Sequence, residues 1–255
     1  MLACCIRLIY FYQFQGNPFF GHLPELWDQT LYHKGAQALV EGDPFALAPG
    51  EPNQQSPFYQ YFLGLIYFFS GVELTSAWIV QLILGVVSTF LVYMIAKRYI
   101  SQGSAFIAAV MFTLYGGNWF YECTLYRASL VTLLTLLVCL LLLRFAERPS
   151  IGLLIGSALS LSFLTQARTN LILFVPFALV YLWRKVFSRR DMGRKWLAGY
   201  LVIFFLASLP LLIWVKQIHG NWGPYDQTGG ENFYLANSPD YSVRSVVHDK
   251  KIEIY

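Results

Sequence analysis

The chain has 255 residues, of which 56% are apolar and only 13% are charged, and its formal net charge is +4. Soluble domains carry about a quarter charged residues, so this composition excludes a soluble enzyme, a disordered chain and a disulfide scaffold. What remains is a polytopic membrane protein, in which the placement of charge matters more than its total.

Seven apolar segments are candidates for membrane-spanning helices, because a helical span needs about 20 residues with few charges. In chain order they are 2–14, 75–96, 104–121, 124–143, 149–167, 169–183 and 196–215. The first is short and contains Arg7. Together they predict an all-α polytopic membrane protein with a bundle of about seven transmembrane helices.

Lysine and arginine are concentrated in three connections that alternate correctly along the chain. These connections are 97–103, 144–150 and 184–195. They hold ten basic residues against two acids. Because cytoplasmic loops carry an excess of basic residues, we expect all three in the cytoplasm. The outer side then receives segment 15–74, the turns near Glu122 and Arg168, and the residues after 216.

The outer loop 15–74 is far longer than the other connections, which is typical of a functional loop. Within it, residues 57–71 are apolar and aromatic, but treating them as a span would invert every later loop. We therefore predict a juxtamembrane helix lying along the outer face. The predicted domains are a transmembrane domain, 1–216, and an outer-face tail, 217–255, which we expect to begin a truncated further region.

Asp28, Tyr32 and Ala36 follow an i, i+4, i+8 spacing, which places an acid and an aromatic ring on one face of a predicted helix. A second interpretation is a solvated helix whose acid lies at the N-terminal end, where the helix dipole favours it. The spacing alone leaves a functional and a structural role open.

Five motifs follow one another in a defined order. They are WDQTLYHKGAQALVEGD, SPFYQYFLGLIYFFSG, WIVQLILGVVSTFLVYMIAKRY, YGGNWFYECTLYRA and LSFLTQARTNLILFVP. Over about residues 7–237 this series resembles glycosyltransferase family 39, which includes polyprenyl-phosphate-mannose protein mannosyltransferases and lipid A aminoarabinose transferases. Two positions depart from the family pattern: Ser56 replaces the first proline of a pair, and Gln29 replaces a second acid.

The resemblance implies a GT-C class transferase that takes a sugar from a polyprenyl-phosphate lipid and passes it to a protein, lipid or polysaccharide acceptor. Such a reaction needs a base for the acceptor hydroxyl and cations for the departing phosphate. By motif, Asp28 is the expected base or metal-organising carboxylate. Glu122 is the second catalytic candidate, although a solvated loop acid is an equally simple interpretation. The cofactor stays open, with a divalent cation at Asp28 and Glu122 as one alternative.

Six further residues are candidates for substrate contact. The proposed donor-phosphate group is Arg168, Arg127, His33 and Lys34. An arginine at headgroup depth also snorkels to ordinary lipid phosphates, and Arg127 is near enough in sequence to pair with Glu122. The proposed acceptor or sugar contacts are Tyr32 and Tyr59, whose rings also suit the membrane interface.

Two other functions compete with the transferase. A transporter or lipid flippase would place ionisable residues near mid-membrane and show paired, interrupted helices, whereas the charges here lie mostly at the membrane faces. An inactive fragment of a transferase is the other alternative. The basic loop 184–195 favours anionic lipid at the plasma membrane, so we expect no nucleic-acid partner.

Overall fold

The structure is a computed structural model that describes residues 1–18, 20–23, 28–46, 56–186, 188, 193–220, 222–223, 225, 233–234 and 237. Within these residues the fold is helical and contains no strand. The helices are α1 (Leu2–Phe14), α2 (Asp28–Glu41), α3 (Phe58–Ser70), α4 (Leu74–Ala96), α5 (Gln102–Leu114), α6 (Gly116–Glu122), α7 (Ala128–Glu147), α8 (Ile151–Ala167), α9 (Phe174–Lys185) and α10 (Gly193–His219).

Three helices of the described chain, α4, α7 and α10, are long and apolar enough to cross a membrane. They have 23, 20 and 27 residues, against a requirement of about 20. The prediction of a helical membrane protein is therefore confirmed. Helices α1, α5 and α8 are apolar but shorter, with 13, 13 and 17 residues, and the bundle of seven spans stays a prediction.

Two predicted spans are interrupted. The segment expected as one span over 104–121 breaks at Tyr115, whose backbone is extended, before Gly116 begins α6. Two consecutive glycines follow Tyr115, and glycine is a poor helix former, so a break here costs little. The segment expected over 169–183 starts as a 3₁₀ turn, Thr169–Leu173, and becomes α-helical only at Phe174.

The predicted helices of the long loop are both present as α2 and α3, which pack against each other; we call this pair the α2–α3 hairpin. Glycines bring the two backbones close. A Cβ on Gly35 of α2 would lie 2.8 Å from Gln60 Cδ of α3, and one on Gly64 of α3 would lie 2.8 Å from Leu39 Cδ1 of α2. A larger residue at either position would push the helices apart.

The three basic connections meet at one end of the bundle, which we call the basic end. Arg98, after α4, forms an ion pair with Glu147, the last residue of α7. The Phe145 ring lies 5.6 Å from that of Trp196, near the start of α10. The α2–α3 hairpin, the turn between α6 and α7, and Arg168 lie at the other end, which we call the hairpin end. The three basic connections therefore lie at one end of the bundle and the other connections named above at the opposite end, in the alternating order predicted from the sequence.

Candidate functional site

The N-terminal end of α2 carries Asp28 and rests on the turn between α6 and α7. The side-chain oxygen of Gln29 accepts a hydrogen bond of 3.1 Å from the backbone N–H of Leu125. Burial raises the pKa of Tyr126, the Asp28 charge raises it further, and a hydrogen bond with Gln29 acts in the opposite direction. Asp28 is therefore close enough to the turn to act electrostatically on Tyr126.

Glu122, at the end of α6, forms a buried ion pair with Arg7 of α1. Arg7 Nε donates to Glu122 Oε2 at 2.7 Å, and Nη2 donates to Oε1 at 2.9 Å. Arg7 is 1% exposed and Glu122 is 3% exposed. The interpretation of Glu122 as a solvated loop acid is therefore wrong, because the packing of α1 and α4 removes this carboxylate from water.

A glycine on α4 makes room for this ion pair. A Cβ on Gly85 would lie 2.0 Å from Glu122 Oε1 and 2.6 Å from Arg7 Nε. Both oxygens of Glu122 are already engaged by Arg7, which positions the carboxylate as a structural acceptor. Arg127, the sequence-based candidate for pairing with Glu122, is half-buried and forms the N-cap of α7.

The amide of Gln81, on α4, links the hairpin to the same turn. Its Oε1 accepts from the Tyr59 hydroxyl at 2.7 Å and from the Ser129 hydroxyl at 3.1 Å. Its Nε2 donates to the carbonyl oxygens of Glu122, at 3.1 Å, and Thr124, at 2.8 Å. Gln81 is fully buried. The hairpin, α4 and the turn are therefore held together by one side chain.

Tyr32 and Tyr59 pack edge to face, with ring centroids 4.9 Å apart. Each is 1% exposed. Burial holds the pKa of Tyr59 well above its usual range, so its hydroxyl stays protonated and donates to Gln81. The structure thus places both rings in the core, and contact with a sugar would require this packing to open.

His33 and Lys34 occupy the half-buried part of α2. His33 Nδ1 lies 2.9 Å from the Tyr67 hydroxyl on α3, and the two rings pack edge to face. Burial lowers the pKa of His33, which favours the neutral ring at neutral pH. His33 therefore brings little positive charge to a phosphate, and Lys34 is the cation that α2 contributes.

Arg168 is exposed where α8 ends and the 3₁₀ turn begins. The chain before α3 reaches the same place, because the Ser56 hydroxyl donates 2.6 Å to the carbonyl oxygen of Gln166. Gln166 Nε2 in turn donates to Ser162 Oγ and to the carbonyl oxygen of Ala207 on α10. Ser56, which replaces a proline of the family pattern, thus holds the hairpin beside Arg168.

The metal alternative finds little support in this arrangement. Within the described residues no group of three or more His, Cys, Asp or Glu side chains could hold a metal ion. Glu122, one of the two expected ligands, has its oxygens committed to Arg7. The donor set does not fit a divalent cation, and we derive no step through one.

Two features of the site were not predicted from the sequence. The Arg7–Glu122 pair joins residues 115 positions apart, and Gln81 had no distinguishing neighbours in sequence. A lone arginine in an apolar helix was the available indication, because an ionisable residue in a membrane segment is usually paired.

These helices define a helical membrane protein in which α2 and α3 lie at one end of the bundle. Residues 54–214, more than half of the chain, match the sequence profile of a family described as dolichyl-phosphate-mannose-protein mannosyltransferase. The chain belongs to this family, which confirms the sequence-based resemblance. Tyr59, Glu122, Arg127 and Arg168 lie inside the matched range, whereas Asp28 precedes it. No curated protein and no solved structure gives a match.

Proposed function

We propose that this protein is a membrane glycosyltransferase that moves a sugar from a polyprenyl-phosphate donor to an acceptor on the outer face of the plasma membrane. The observation that carries the proposal is the position of Asp28, which α2 holds against the turn between α6 and α7 in a chain of the mannosyltransferase family. The acceptor is a protein, lipid or polysaccharide hydroxyl.

The chemistry needs one base and one or more cations at the hairpin end. Asp28 takes the proton of the acceptor hydroxyl, and the oxygen of that hydroxyl attacks the anomeric carbon of the sugar. The bond from that carbon to the polyprenyl phosphate breaks, and the phosphate leaves with the electron pair. Arg168, Arg127 and Lys34 stabilise the charge on this leaving group. Glu122 contributes by positioning the turn on which α2 rests.

The catalytic assignment is tested by Asp28→Asn. This change keeps the size of the side chain and much of its hydrogen bonding but removes the basic oxygen. We expect turnover to fall by about 100-fold to 10,000-fold, the range of a general base, with donor affinity little changed. Turnover is measured as the transfer of radiolabelled sugar from a saturating polyprenyl-phosphate donor in membranes.

The matched control is Glu41→Gln, an acid-to-amide change at the exposed C-terminal end of the same helix. It should leave turnover near that of the wild type. Full activity of a correctly inserted Asp28→Asn protein would show that Asp28 only stabilises the N-terminal end of its helix, since Asn caps a helix nearly as well.

The donor-phosphate assignment is tested by Arg168→Lys, which keeps the charge but loses the planar fork that binds phosphate bidentately. We expect a higher apparent KM for the donor with folding intact. Arg184→Lys, an exposed arginine at the basic end, is the control. An unchanged KM for the donor would leave Arg168 as an arginine that only contacts membrane lipid.

The orientation is tested with a membrane-impermeant maleimide on a variant whose native cysteines are replaced by serine. Ser188→Cys, at the basic end, should react only from the cytoplasm. Val72→Cys, between α3 and α4, should react only from outside. Labelling of both positions from one side would contradict the proposed orientation.

A further inference from the structure

Gln81 is an isolated amide in an apolar membrane helix. No other residue of α4, Leu74–Ala96, carries an amide or a charged group. The side chain is fully buried. An amide in such a helix is unfavourable unless its polar atoms are satisfied, and in membrane proteins these groups commonly join one helix to another. Its four hydrogen bonds satisfy Gln81, and two sets of contacts lead from them to α2.

The first set of contacts passes through the turn between α6 and α7. The two bonds that the amide nitrogen donates end on the carbonyl oxygens of Glu122 and Thr124. The next residue, Leu125, donates its backbone N–H to Gln29 Oε1 at 3.1 Å. Gln29 directly follows Asp28 in α2. The amide therefore fixes the piece of backbone that holds the neighbour of Asp28.

The second set of contacts passes through the α2–α3 hairpin. The Tyr59 hydroxyl on α3 donates to Gln81 Oε1 at 2.7 Å. The Tyr59 ring packs edge to face against that of Tyr32, which lies one helical turn after Asp28 on the same face of α2. Both rings are 1% exposed. A close-packed interior transmits displacements instead of absorbing them, so a shift of the amide would reach α2 from this side as well.

We propose that Gln81 is a positioning residue, which through the turn and through Tyr59 sets the place of the Asp28 carboxylate relative to the acceptor hydroxyl. The proposal rests on the proposed function, because it takes Asp28 as the base. Gln81 transfers no proton itself, since an amide does not titrate and its hydrogen-bonding groups are all engaged within the protein. A reacting group displaced by about 1 Å loses about 100-fold in rate, so the effect belongs to kcat.

The primary test is Gln81→Met, which keeps a side chain of similar size but removes all four hydrogen bonds. Transfer of radiolabelled sugar from the polyprenyl-phosphate donor is measured per folded protein, with the full chain in lipid nanodiscs. We expect kcat to fall by about 10-fold to 100-fold and the KM for the donor to change by less than about 2-fold. A wild-type kcat, or a loss that appears only in KM, would overturn the proposal.

A double-variant cycle separates positioning of the base from general damage. In an Asp28→Asn background, Gln81→Met should cause no further loss of kcat, because the position of the side chain no longer matters once the base is absent. Losses that multiply in the double variant would show that Gln81 acts independently of Asp28, which would overturn the proposal.

Two smaller changes form a matched pair that does not depend on Gln81→Met folding. Tyr59→Phe and Ser129→Ala each remove one hydroxyl that donates to Gln81 Oε1, but only Tyr59 leads on to α2. We expect kcat to fall by about 3-fold to 10-fold in Tyr59→Phe, the equivalent of one hydrogen bond, and to stay near that of the wild type in Ser129→Ala. Equal kcat values for the two variants would overturn the proposal.

Hydrogen exchange gives a measurement that does not depend on transfer. In Gln81→Met the amides of residues 28–33 and 122–126 should lose protection, whereas those of α8 and α10 should keep it. Unchanged protection in both segments would overturn the proposal whether or not the protein transfers sugar. Lost protection in a protein without transfer activity, or one whose Asp28→Asn variant is fully active, would show that Gln81 fixes α2 while the proposed function fails.

Discussion

The two ends of the bundle each contain an arginine–glutamate ion pair, in opposite surroundings. At the hairpin end, the side chains of Arg7 and Glu122 are 1% and 4% exposed. At the basic end, those of Arg98 and Glu147 are 21% and 57% exposed. The same chemistry has different consequences because water screens the second pair and is excluded from the first. Removal of one partner of the buried pair is therefore costly, because it leaves the other charge uncompensated, whereas the exposed pair is one contact among many.

The largest effect is expected from Glu122→Gln. Removal of one partner leaves Arg7 as an uncompensated buried charge, at a cost of about 3–5 kcal/mol. The unfolding midpoint of the purified protein in detergent measures the loss. The double variant Arg7→Met with Glu122→Met should recover most of it, because a well-packed apolar pair can replace a buried ion pair. A wild-type midpoint for Glu122→Gln would contradict the buried pairing.

A smaller loss is expected from Gly85→Ala. The new methyl group would meet Glu122 Oε1 at 2.0 Å, so the ion pair or α4 must shift, with an overpacking cost of about 1–3 kcal/mol. Gly152→Ala on α8 is the control, since a Cβ there meets nothing within 4 Å. It should stabilise the helix by about 0.5–1 kcal/mol. Equal midpoints for both variants would show that Gly85 is not required to accommodate the pair.

A pH effect is expected at the hairpin, which lies outside the long apolar helices. Because burial lowers the pKa of His33 below its unfolded value of about 6.5, the folded state binds the proton less readily. Stability is then complete above that unfolded pKa and declines as the pH falls through it. Unfolding midpoints between pH 8 and pH 5 should show this decline, reduced in His33→Gln and retained in His22→Gln, at an exposed histidine.

The smallest effect is expected from Arg98→Ala at the basic end. An exposed pair contributes about 0–1 kcal/mol, and added salt should reduce even this difference. A loss comparable to that of Glu122→Gln would mean that the two environments are less different than their exposures indicate.

The helices were predictable where the apolar pattern is long and uninterrupted. Residues 75–96 were expected as a span, and α4 covers Leu74–Ala96. The hairpin helices followed from the i, i+4 spacing after Asp28 and from the aromatic run that becomes α3. The break at Tyr115 was missed because an apolar run with two glycines has the composition of a continuous span.

The candidate site was predictable only as a set of residues, because pairing between distant segments leaves no local pattern. Sequence considerations brought Asp28 and Glu122 to the same end of the molecule, but the partner of Glu122 comes from α1, 115 residues earlier. Gln29 was noted as a departure from a family acid, and its role as acceptor for Leu125 required the folded turn. His33 likewise depends on Tyr67, 34 residues away.

The four hydrogen bonds of the Gln81 side chain restrict which residues can replace it during evolution. A primary amide has two donor hydrogens and two acceptor lone pairs, and all four are used here. Glutamate has no hydrogens for the carbonyl oxygens of Glu122 and Thr124, asparagine is one methylene shorter, and leucine can replace none of the four bonds. Substitution of Gln81 is therefore unfavourable unless several neighbouring residues change with it. The range of residues accepted at position 81 is thus a measure of how far the sequence of the hairpin can diverge.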